Sequence, residues 1–317
     1  MKHSLALVAA VLQAALTLAC ASEGPECRVG ADCASGSCNA EGRCVPAPQR
    51  DAQADALAAD AAPPPADGPA PDGPTPPEAG PGCTPNKDGR ITRDEVPLAA
   101  GLRATFVVAL DADVSTAGTP RGDGTRSWDF SAALPGDRLS LLETQKLDDK
   151  WYRASFPGAT YAARLGAGSE LLGVFEVGAG AVKLRGVASP ADGLSKTLLT
   201  YAPPVDVLAF PLEPAKAWSV TSSVSGTASG VALFGNYTEK YDSQVDAKGE
   251  LKTPLGTFAV LRVKTTLTRT VGLLLPVTLR TFAFVTECYG TIATVTSNND
   301  EPNVEFTRAK EVQRISP

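Results

Sequence analysis

Histidine is almost absent from this chain of 317 residues: His3 is the only one, and it lies in an apolar N-terminal segment that we expect to be removed. The mature chain would therefore have no imidazole. Ser-His-Asp and Cys-His hydrolysis need that group, as do histidine-ligated zinc or iron sites and histidine pH switches. These chemistries are excluded for the mature chain.

Other catalytic and nucleotide-binding signatures are missing as well. The sequence has no Gly-x4-Gly-Lys phosphate loop, no Gly-x-Gly-x2-Gly fingerprint and no Ser-x2-Lys step. Carboxylate pairs remain, because glycoside cleavage needs only two acids at a set separation. The candidates by residue type are Asp111 with Asp113, Asp148 with Asp149, and Glu143. Charges near turns are usually only solvated, so we predict that the protein is not an enzyme.

An excess of positive charge and a rich supply of aromatic side chains are also lacking. The net charge is −6, whereas nucleic-acid binding requires a basic face, so no nucleic-acid partner is expected. Three Trp and six Tyr offer little of the aromatic surface on which sugars stack. We expect Trp128, Trp151, Tyr152 and Trp218 to serve in packing.

The N-terminus carries the pattern of an export signal. Lys2 precedes an almost continuous apolar run, Leu5–Leu18, whose roughly 14 residues are too few to span a membrane. Small residues precede Cys20, so the segment resembles the processing site of a bacterial lipoprotein, of the myxobacterial type. That resemblance implies that residues 1–19 are a signal peptide and that lipid on Cys20 anchors the protein in the cell envelope. Ala21, where Asp would indicate inner-membrane retention, favours the outer membrane.

The cysteine content fits an oxidising compartment. The seven cysteines are Cys20, Cys27, Cys33, Cys38, Cys44, Cys83 and Cys288. With Cys20 lipidated, six remain, an even number suited to disulfides. An ordinary signal cleaved after Ala19 or Ala21 would instead leave Cys20 as a free thiol or a disulfide partner.

Residues 20–44 form a short cysteine-rich segment with almost no apolar residues for a core. No Cys-x2-Cys pair indicates zinc, so two disulfides are expected to replace the core. The segment resembles the small cysteine-rich modules of extracellular proteins. Of the three possible connectivities, this resemblance implies Cys27–Cys38 and Cys33–Cys44. Cys83 and Cys288 are then expected to pair with each other, although 204 residues separate them.

Residues 45–82 are dominated by Ala, Pro, Asp and Gly and predict a disordered linker. Its maximal reach is on the order of 100 Å, at about 3 Å per residue. The linker is either a spacer that lifts the following domain off the membrane or a neutral low-complexity insertion.

Residues 83–97 contain a candidate metal loop, with Gly89 at its turn. Its oxygen donors follow the spacing of an EF-hand calcium loop and are Thr84, Asn86, Asp88, Arg90 through its carbonyl, Thr92 and Glu95. The segment resembles a single degenerate EF-hand or dockerin-like half, in which Thr84 replaces the usual first Asp. The resemblance implies weak Ca²⁺ binding. The alternative is a loop whose Asn, Asp and Gly now serve only a turn.

Residues 98–317 predict a mainly β domain, because Val, Thr, Leu and Phe alternate at period two between turn residues. The predicted strands are Phe106–Leu110, Leu171–Val177, Val182–Val187, Gly256–Lys264, Leu279–Phe284 and Thr291–Thr296. A short helix is predicted at Leu139–Leu147. The expected fold is an antiparallel β sandwich or open barrel, preceded by the cysteine-rich module and the linker.

Two features of this domain carry further expectations. The Thr253–Phe258 turn and the later Tyr289-Gly290 step resemble a signature of uncharacterised secreted bacterial β domains, which implies a fold and no activity. The apolar run Leu273–Val277 is expected to be ordinary buried core. If exposed, it would suit a lipid tail or a partner.

The sequence therefore predicts a lipid-anchored envelope protein, with a non-catalytic binding or structural module and weak calcium binding. Its partners would be the membrane, through the anchor, and an unidentified protein, glycan or lipid ligand. The alternative is a carrier that wraps a lipophilic ligand in a curved sheet. A more remote alternative is a carboxylate-dependent hydrolase.

Overall fold

The computed structural model describes residues 83–233 and 237–317, and these residues are mainly β. The fifteen strands are β1 (Arg103–Asp113), β2 (Thr119–Pro120), β3 (Arg126–Asp129), β4 (Arg138–Glu143), β5 (Tyr161–Arg164), β6 (Leu172–Val177), β7 (Ala181–Ala188), β8 (Leu198–Ala209), β9 (Ala217–Ala228), β10 (Val231–Ala232), β11 (Tyr237–Lys252), β12 (Thr257–Val271), β13 (Val277–Thr286), β14 (Gly290–Thr296) and β15 (Arg308–Ile315). Two 3-10 turns, Arg93–Glu95 and Arg153–Ser155, are the helical elements of this region. No helix in the described residues is long and apolar enough to cross a membrane.

One sheet holds all the strands and nearly closes into a barrel. Its main path is β4-β1-β15-β14-β13-β12-β11-β9-β8-β7-β6-β5, in which all neighbours are antiparallel. Off this path, β10 pairs with β9, β2 pairs with β3, and β3 runs parallel to β11. The two terminal strands meet at a seam, where Gln145 and Ala162 exchange backbone N–H···O bonds of 2.6 and 3.0 Å. The predicted antiparallel β architecture is confirmed, in the barrel-like form. Near-closure leaves few unpaired edge groups, which would otherwise recruit other strands.

The strand β12 shows why the sequence forms this sheet. Phe258 and Val260 join one buried cluster, whereas Leu261 and Val263 join a second one that also contains Ile91. Successive side chains of a strand point to opposite faces, so the run Phe258–Val263 is apolar on both. The strand therefore contributes to both clusters.

The predicted helix at Leu139–Leu147 is wrong, because the segment begins with strand β4. Leu139 pairs with Val107 of β1, and Leu141 pairs with Thr105. Leu139 and Leu141 are 72% and 58% exposed, so they form an apolar strip on the outer side of the sheet. Pairing with β1 provides backbone hydrogen bonds that override the local helical preference.

The expectation that Leu273–Val277 is buried core is also wrong. The last β12–β13 pair is Arg269 with Val277, so the residues between Val271 and Val277 turn beyond the end of the sheet. Among the described residues none buries them, and Leu273 and Leu275 are 106% and 89% exposed. We call Gly272–Pro276 the hairpin tip, and the end of the barrel that carries it the hairpin end.

Residues 83–97 close the opposite end of the barrel, which we call the plugged end. A disulfide joins Cys83 to Cys288 in the β13–β14 turn, as the sequence predicts. Ile91 forms an antiparallel bridge with Leu212, and Cys288 N–H donates to the carbonyl of Glu95 at 2.7 Å. Ile91 is 3% exposed and lies in the core, so this segment is an integral part of the barrel.

Replacing Cys83 and Cys288 together by Ser should lower the free energy of unfolding by about 2–5 kcal/mol, because the bond restrains a very long loop in the unfolded chain. Urea unfolding of the oxidised protein and the double variant measures the difference. The reduced wild-type protein is the matched control and should behave like the variant. Equal midpoints for oxidised protein and variant would contradict the stabilising role.

Candidate functional site

The residues predicted for lipidation and for the cysteine-rich module lie outside the described residues. They are Cys20, Cys27, Cys33, Cys38 and Cys44. The segment 45–82 lies outside them as well, and these assignments stay predictions.

The predicted calcium loop is organised by its own side chains. Asn86 Nδ2 donates to Glu95 Oε1 at 2.6 Å, so the third and twelfth loop positions meet, as they would around a cation. Asn86 Oδ1 accepts from the Asp88 N–H, and Asp88 Oδ1 accepts from the Arg90 N–H. The N–H and the hydroxyl of Thr92 both donate to Glu95 Oε2, at 2.7 and 2.9 Å.

These contacts fit a calcium site only in part. Both carboxylate oxygens of Glu95 already accept hydrogen bonds from the protein. Within the described ranges, no three acidic, cysteine or histidine side chains are grouped so that they could hold a metal. The loop gathers Asn86, Thr92 and Glu95 and links Asp88 to them, whereas Thr84 is exposed and uncharged.

The carboxylates considered for hydrolysis are surface charges. Four of them form ion pairs: Asp113 with Arg308, Glu143 with Arg103, Asp148 with Arg153, and Asp149 with Lys150. Asp111 is exposed within β1. A carboxylate that transfers protons in catalysis usually has a sheltered environment that sets its pKa. The surface positions of these five acids do not offer one.

A buried acidic cluster that the sequence analysis missed lies inside the sheet. Glu239 of β11 is 1% exposed, and its carboxylate accepts hydrogen bonds from four side chains. The hydroxyls of Tyr201, Tyr237 and Tyr241 donate at 3.0, 2.6 and 2.5 Å, and Arg269 Nε donates at 2.8 Å. The alternation Tyr-x-Glu-x-Tyr, which places three polar side chains on one strand face, is the signal that could have revealed it.

The electrostatics of the Glu239 cluster are balanced internally. Burial alone would raise the pKa of Glu239, but the charge of Arg269 and the tyrosine hydroxyls outweigh burial and hold it below its usual 4.5. Burial, together with the nearby carboxylate, raises the pKa of Tyr201 and Tyr241. A carboxylate has about four lone-pair sites, and four donors occupy them here. The cluster therefore joins β8, β11 and β12 and has no acceptor left for a ligand.

Arg262 of β12 forms a second buried charge cluster. Its Nη2 lies 2.9 Å from Asp246 Oδ2 and 2.7 Å from Glu305 Oε1. Its Nη1 donates to the carbonyl of Thr116 at 2.6 Å, and the guanidinium lies 4.3 Å from the ring centroid of Phe282. These contacts hold two long connections, β1–β2 and β14–β15, against the sheet.

Arg314 of β15 forms a third cluster. Its guanidinium donates to the carbonyls of Phe130 and Ala132 and pairs with Asp137, which fixes the β3–β4 connection. In the described part of the chain, the Nε of Arg314 and the hydroxyl of Tyr152 are the buried side-chain nitrogen and oxygen atoms without a partner. The interior charges thus serve mainly to join strands and connections.

An open crevice of about 810 Å³ lies at the seam, along the connection between β4 and β5. Lys146, Lys150 and Arg153 line it, against a single acid in the lining, Asp148. A positively charged concavity is therefore present in a chain whose net charge is −6. The sequence does not reveal this crevice, because acidic and basic residues alternate along the connection and no run of positive charge stands out.

Aromatic side chains form one wall of this seam crevice. Trp151 and Phe156 lie in its lining. The Trp151 Nε1–H donates to the carbonyl of Ser189 at 3.1 Å, and Lys196 Nζ lies 4.9 Å from the ring centroid. These contacts fix the indole, so the crevice has a rigid wall beside flexible cationic side chains. Trp128, Trp151 and Trp218 all pack against core clusters, as expected.

Glu239→Gln should destabilise the fold by about 3 kcal/mol at pH 7, because an amide group would face hydroxyl and guanidinium donors. The folded-state pKa of Glu239 is lowered, so its stabilising effect is present above the ordinary pKa of 4.5 and is lost as the pH falls from there through the folded-state pKa. Urea unfolding of both proteins at pH 7 and pH 3.5 should show the difference shrinking at the lower pH.

Glu250→Gln is the matched control, since Glu250 forms an exposed ion pair with Arg121. It should change the unfolding free energy by less than about 1 kcal/mol. If the two variants were equally stable at pH 7, the assigned role of Glu239 would be wrong.

No protein-family model matches this chain, and neither does any curated protein. Solved structures that match include a protein of Bacteroides fragilis that is assigned as exported and has a YmcC-like fold, at 10% identity and a TM-score of 0.30, covering 68% of this chain and 96% of that one. Another is a protein of Parabacteroides distasonis that is assigned as a lipoprotein, at 8% identity and a TM-score of 0.31, covering 68% and 95%. These similarities are too low to transfer a function to this chain.

Proposed function

We propose that the protein is a lipid-anchored component of the bacterial cell envelope whose β domain binds an acidic glycan in the seam crevice, without catalysis. The observation that carries the proposal is the local reversal of charge. Lys146, Lys150 and Arg153 line the crevice against Asp148 alone, although the chain as a whole is acidic. Concave sites with a few convergent polar groups are the usual places for ligand binding.

The side chains of the crevice suit an anionic sugar. Lys150 and Arg153 make only long ion pairs, of 3.7 and 3.4 Å, with exposed acids that a ligand could displace. Carboxylate or sulfate groups on a glycan would accept charge-assisted hydrogen bonds from these cations. Trp151, which is only partly buried, supplies apolar surface for the sugar rings.

The ionisable groups of the domain favour binding over catalysis. The charged groups of Glu239, Arg262 and Arg314 already form hydrogen bonds and ion pairs inside the fold. The acid at the crevice, Asp148, has a side chain that is 79% exposed and paired with Arg153. General acid–base catalysis requires a group held close to the reacting atoms with a tuned pKa, and none of these groups meets that description.

Export and anchoring are supported by the leader and by the disulfide. The short apolar run before Cys20 suits a lipoprotein signal. The bond between Cys83 and Cys288 is of the kind that persists in oxidising compartments outside the cytoplasm.

Carriage of a lipophilic ligand is less well supported. A carrier needs an apolar cavity, whereas large side chains such as Phe282, Phe284 and Leu251 are completely buried in the core. The crevices at the seam, at the plugged end and beside Trp128 each include charged side chains in their lining.

Replacing Lys146 and Lys150 together by Glu should weaken the binding of polygalacturonate by at least about tenfold, because two attractive charges become repulsive. Titration calorimetry at two salt concentrations measures the affinity. Binding to the wild-type protein should weaken as the salt concentration rises.

The matched control replaces Lys248 and Lys252 by Glu, which makes the same change of charge on β11, away from the seam. This control should bind polygalacturonate within about threefold of the wild-type protein. Equal losses in both variants would mean that only net charge matters, and the seam crevice would not be the site.

The loop at residues 83–97 supports a second binding proposal, for Ca²⁺ of extracellular affinity. The observation that favours it is the meeting of Asn86 and Glu95, the third and twelfth loop positions, whose side chains lie 2.6 Å apart. Asn86, Asp88, Thr92 and Glu95 would hold the ion, with the carbonyl of Arg90. The absence of an acid at Thr84 would keep the dissociation constant at about 10⁻⁴–10⁻³ M.

Millimolar CaCl₂ should raise the melting temperature of the wild-type protein, and Glu95→Gln should abolish that rise. Gln preserves the capping box with Thr92 but removes the bidentate carboxylate, so the folded loop is kept. Differential scanning calorimetry with CaCl₂ and with equal MgCl₂ measures the effect. No calcium-dependent shift in the wild-type protein would overturn the calcium proposal and leave the glycan proposal untouched.

A further inference from the structure

The hairpin tip is the most exposed apolar segment of the described residues. Leu273, Leu274 and Leu275 are 106%, 61% and 89% exposed. They follow one another at the end of the hairpin formed by β12 and β13. Scattered single leucines on a surface are ordinary, but three adjacent ones at a protruding tip usually mark a contact with another apolar phase.

The apolar character extends over the hairpin end as a whole. Val231 follows the β9–β10 turn, and Leu194 lies in the β7–β8 loop, which contacts that turn through the Gly230 N–H and the Lys196 carbonyl. Val304 lies in the β14–β15 connection, and Asp300 of that connection accepts a hydrogen bond from the Thr278 N–H beside the tip. Leu194, Val231 and Val304 are 99%, 59% and 51% exposed.

Charge around the tip is arranged in layers. The ten residues 270–279 carry no charge, and Arg269 and Arg280 flank them. Arg269 pairs with Val277 and Arg280 pairs with Thr266, so the two guanidinium groups lie on opposite faces of the hairpin. Each lies about 15 Å along the strands from the tip, at about 3.4 Å per residue.

This arrangement matches the layers of a phospholipid surface. Apolar side chains that insert at the interface reach about 5–10 Å into the acyl boundary. Arg269 and Arg280, roughly 15 Å behind the tip, would then lie at the level of the phosphate groups. Their guanidinium groups are already held inside the domain, by the Glu239 carboxylate and by the carbonyl of Asn303. Asp300 and Glu301 lie in the neighbouring connection, so a strong preference for anionic lipid is not expected.

The position of the tip relative to the tether is compatible with this contact. Cys83 enters the domain at the plugged end, opposite to the tip. The fifteen residues of β12 span about 50 Å, whereas residues 45–82 can reach on the order of 100 Å. A domain tethered in this way can turn until its hairpin end meets the membrane.

We propose that the hairpin tip inserts into the surface of the phospholipid bilayer to which the chain is anchored, as a second membrane contact. The tip would hold the domain in one orientation relative to the membrane. The proposal depends on the lipid anchor for this geometry and does not depend on glycan binding.

Leu274→Trp in the lipidated full-length protein tests the insertion directly. In phosphatidylcholine vesicles with brominated acyl chains, the new indole should be quenched and its emission should shift to the blue. Leu139→Trp is the control, because Leu139 is 72% exposed on β4, away from the hairpin end, and should be quenched no more than the three native tryptophans. Equal quenching of the two variants, or no quenching of Leu274→Trp, would overturn the proposal.

Vesicle flotation of the chain 21–317, which has neither leader nor lipid, tests the tip without the tether. The fraction bound to phosphatidylcholine vesicles should fall by at least about tenfold when Leu273, Leu274 and Leu275 are replaced by Ser. The control with Ser at Leu139 and Leu141 should bind like the parent chain.

Light scattering of the same proteins without lipid tests whether a second copy of the chain covers the tip instead of the membrane. A dimer that the three Ser replacements dissociate, with no flotation of the parent chain, would show that a second copy covers the tip and would overturn the membrane contact. The variant in which Glu replaces Lys146 and Lys150 should float like the parent chain. Flotation therefore tests the membrane contact independently of glycan binding.

Discussion

Closure of one continuous sheet is the constraint on which the rest of this structure depends. On the path from β4 to β5 every inner strand is paired on both sides, and the two terminal strands meet through the bridge between Gln145 and Ala162. The bridge between them is short, so the chain that connects them, residues 144–160, must fold over the seam. The crevice, with its cationic side chains and its fixed indole, is a consequence of that connection. The two ends of the barrel differ because the segment 83–97 fills one of them and the hairpin tip extends from the other.

Buried charges decide how the long connections lie on this barrel. Arg262 binds connections that precede β2 and β15, and Arg314 binds the one that precedes β4. Burying a charge is costly unless it is paired and hydrogen-bonded, so these arginines admit few alternative positions for their partners. Glu239 acts in the same way within the sheet, with three tyrosines and Arg269. The interior is therefore specified by polar geometry as well as by apolar volume, which fits a scaffold that presents surface sites.

Much of the strand content was predictable, because alternation at period two is a local property. The strands around Phe106, Val182 and Phe258 follow from it directly. The Cys83–Cys288 pair was also predictable from the cysteine count and compartment. The segment at Leu139 was not, because its leucines fit a helix equally well and pairing with β1 decided the outcome. The tip at Leu273 was misjudged for a related reason: an apolar run indicates burial only if some other element covers it, and the register of β12 with β13 leaves it beyond the sheet.

The sequence by itself determined the class of fold and the covalent tie between Cys83 and Cys288. Tertiary structure decided which charges are solvated and which are neutralised inside, as the contrast between exposed Asp148 and buried Glu239 shows. It also decided that Lys146, Lys150 and Arg153 share one concavity. The physical reason is that pairing between strands brings together residues that are distant along the chain. Local patterns specify which face of a strand is apolar, but only the closed sheet specifies what lies opposite that face.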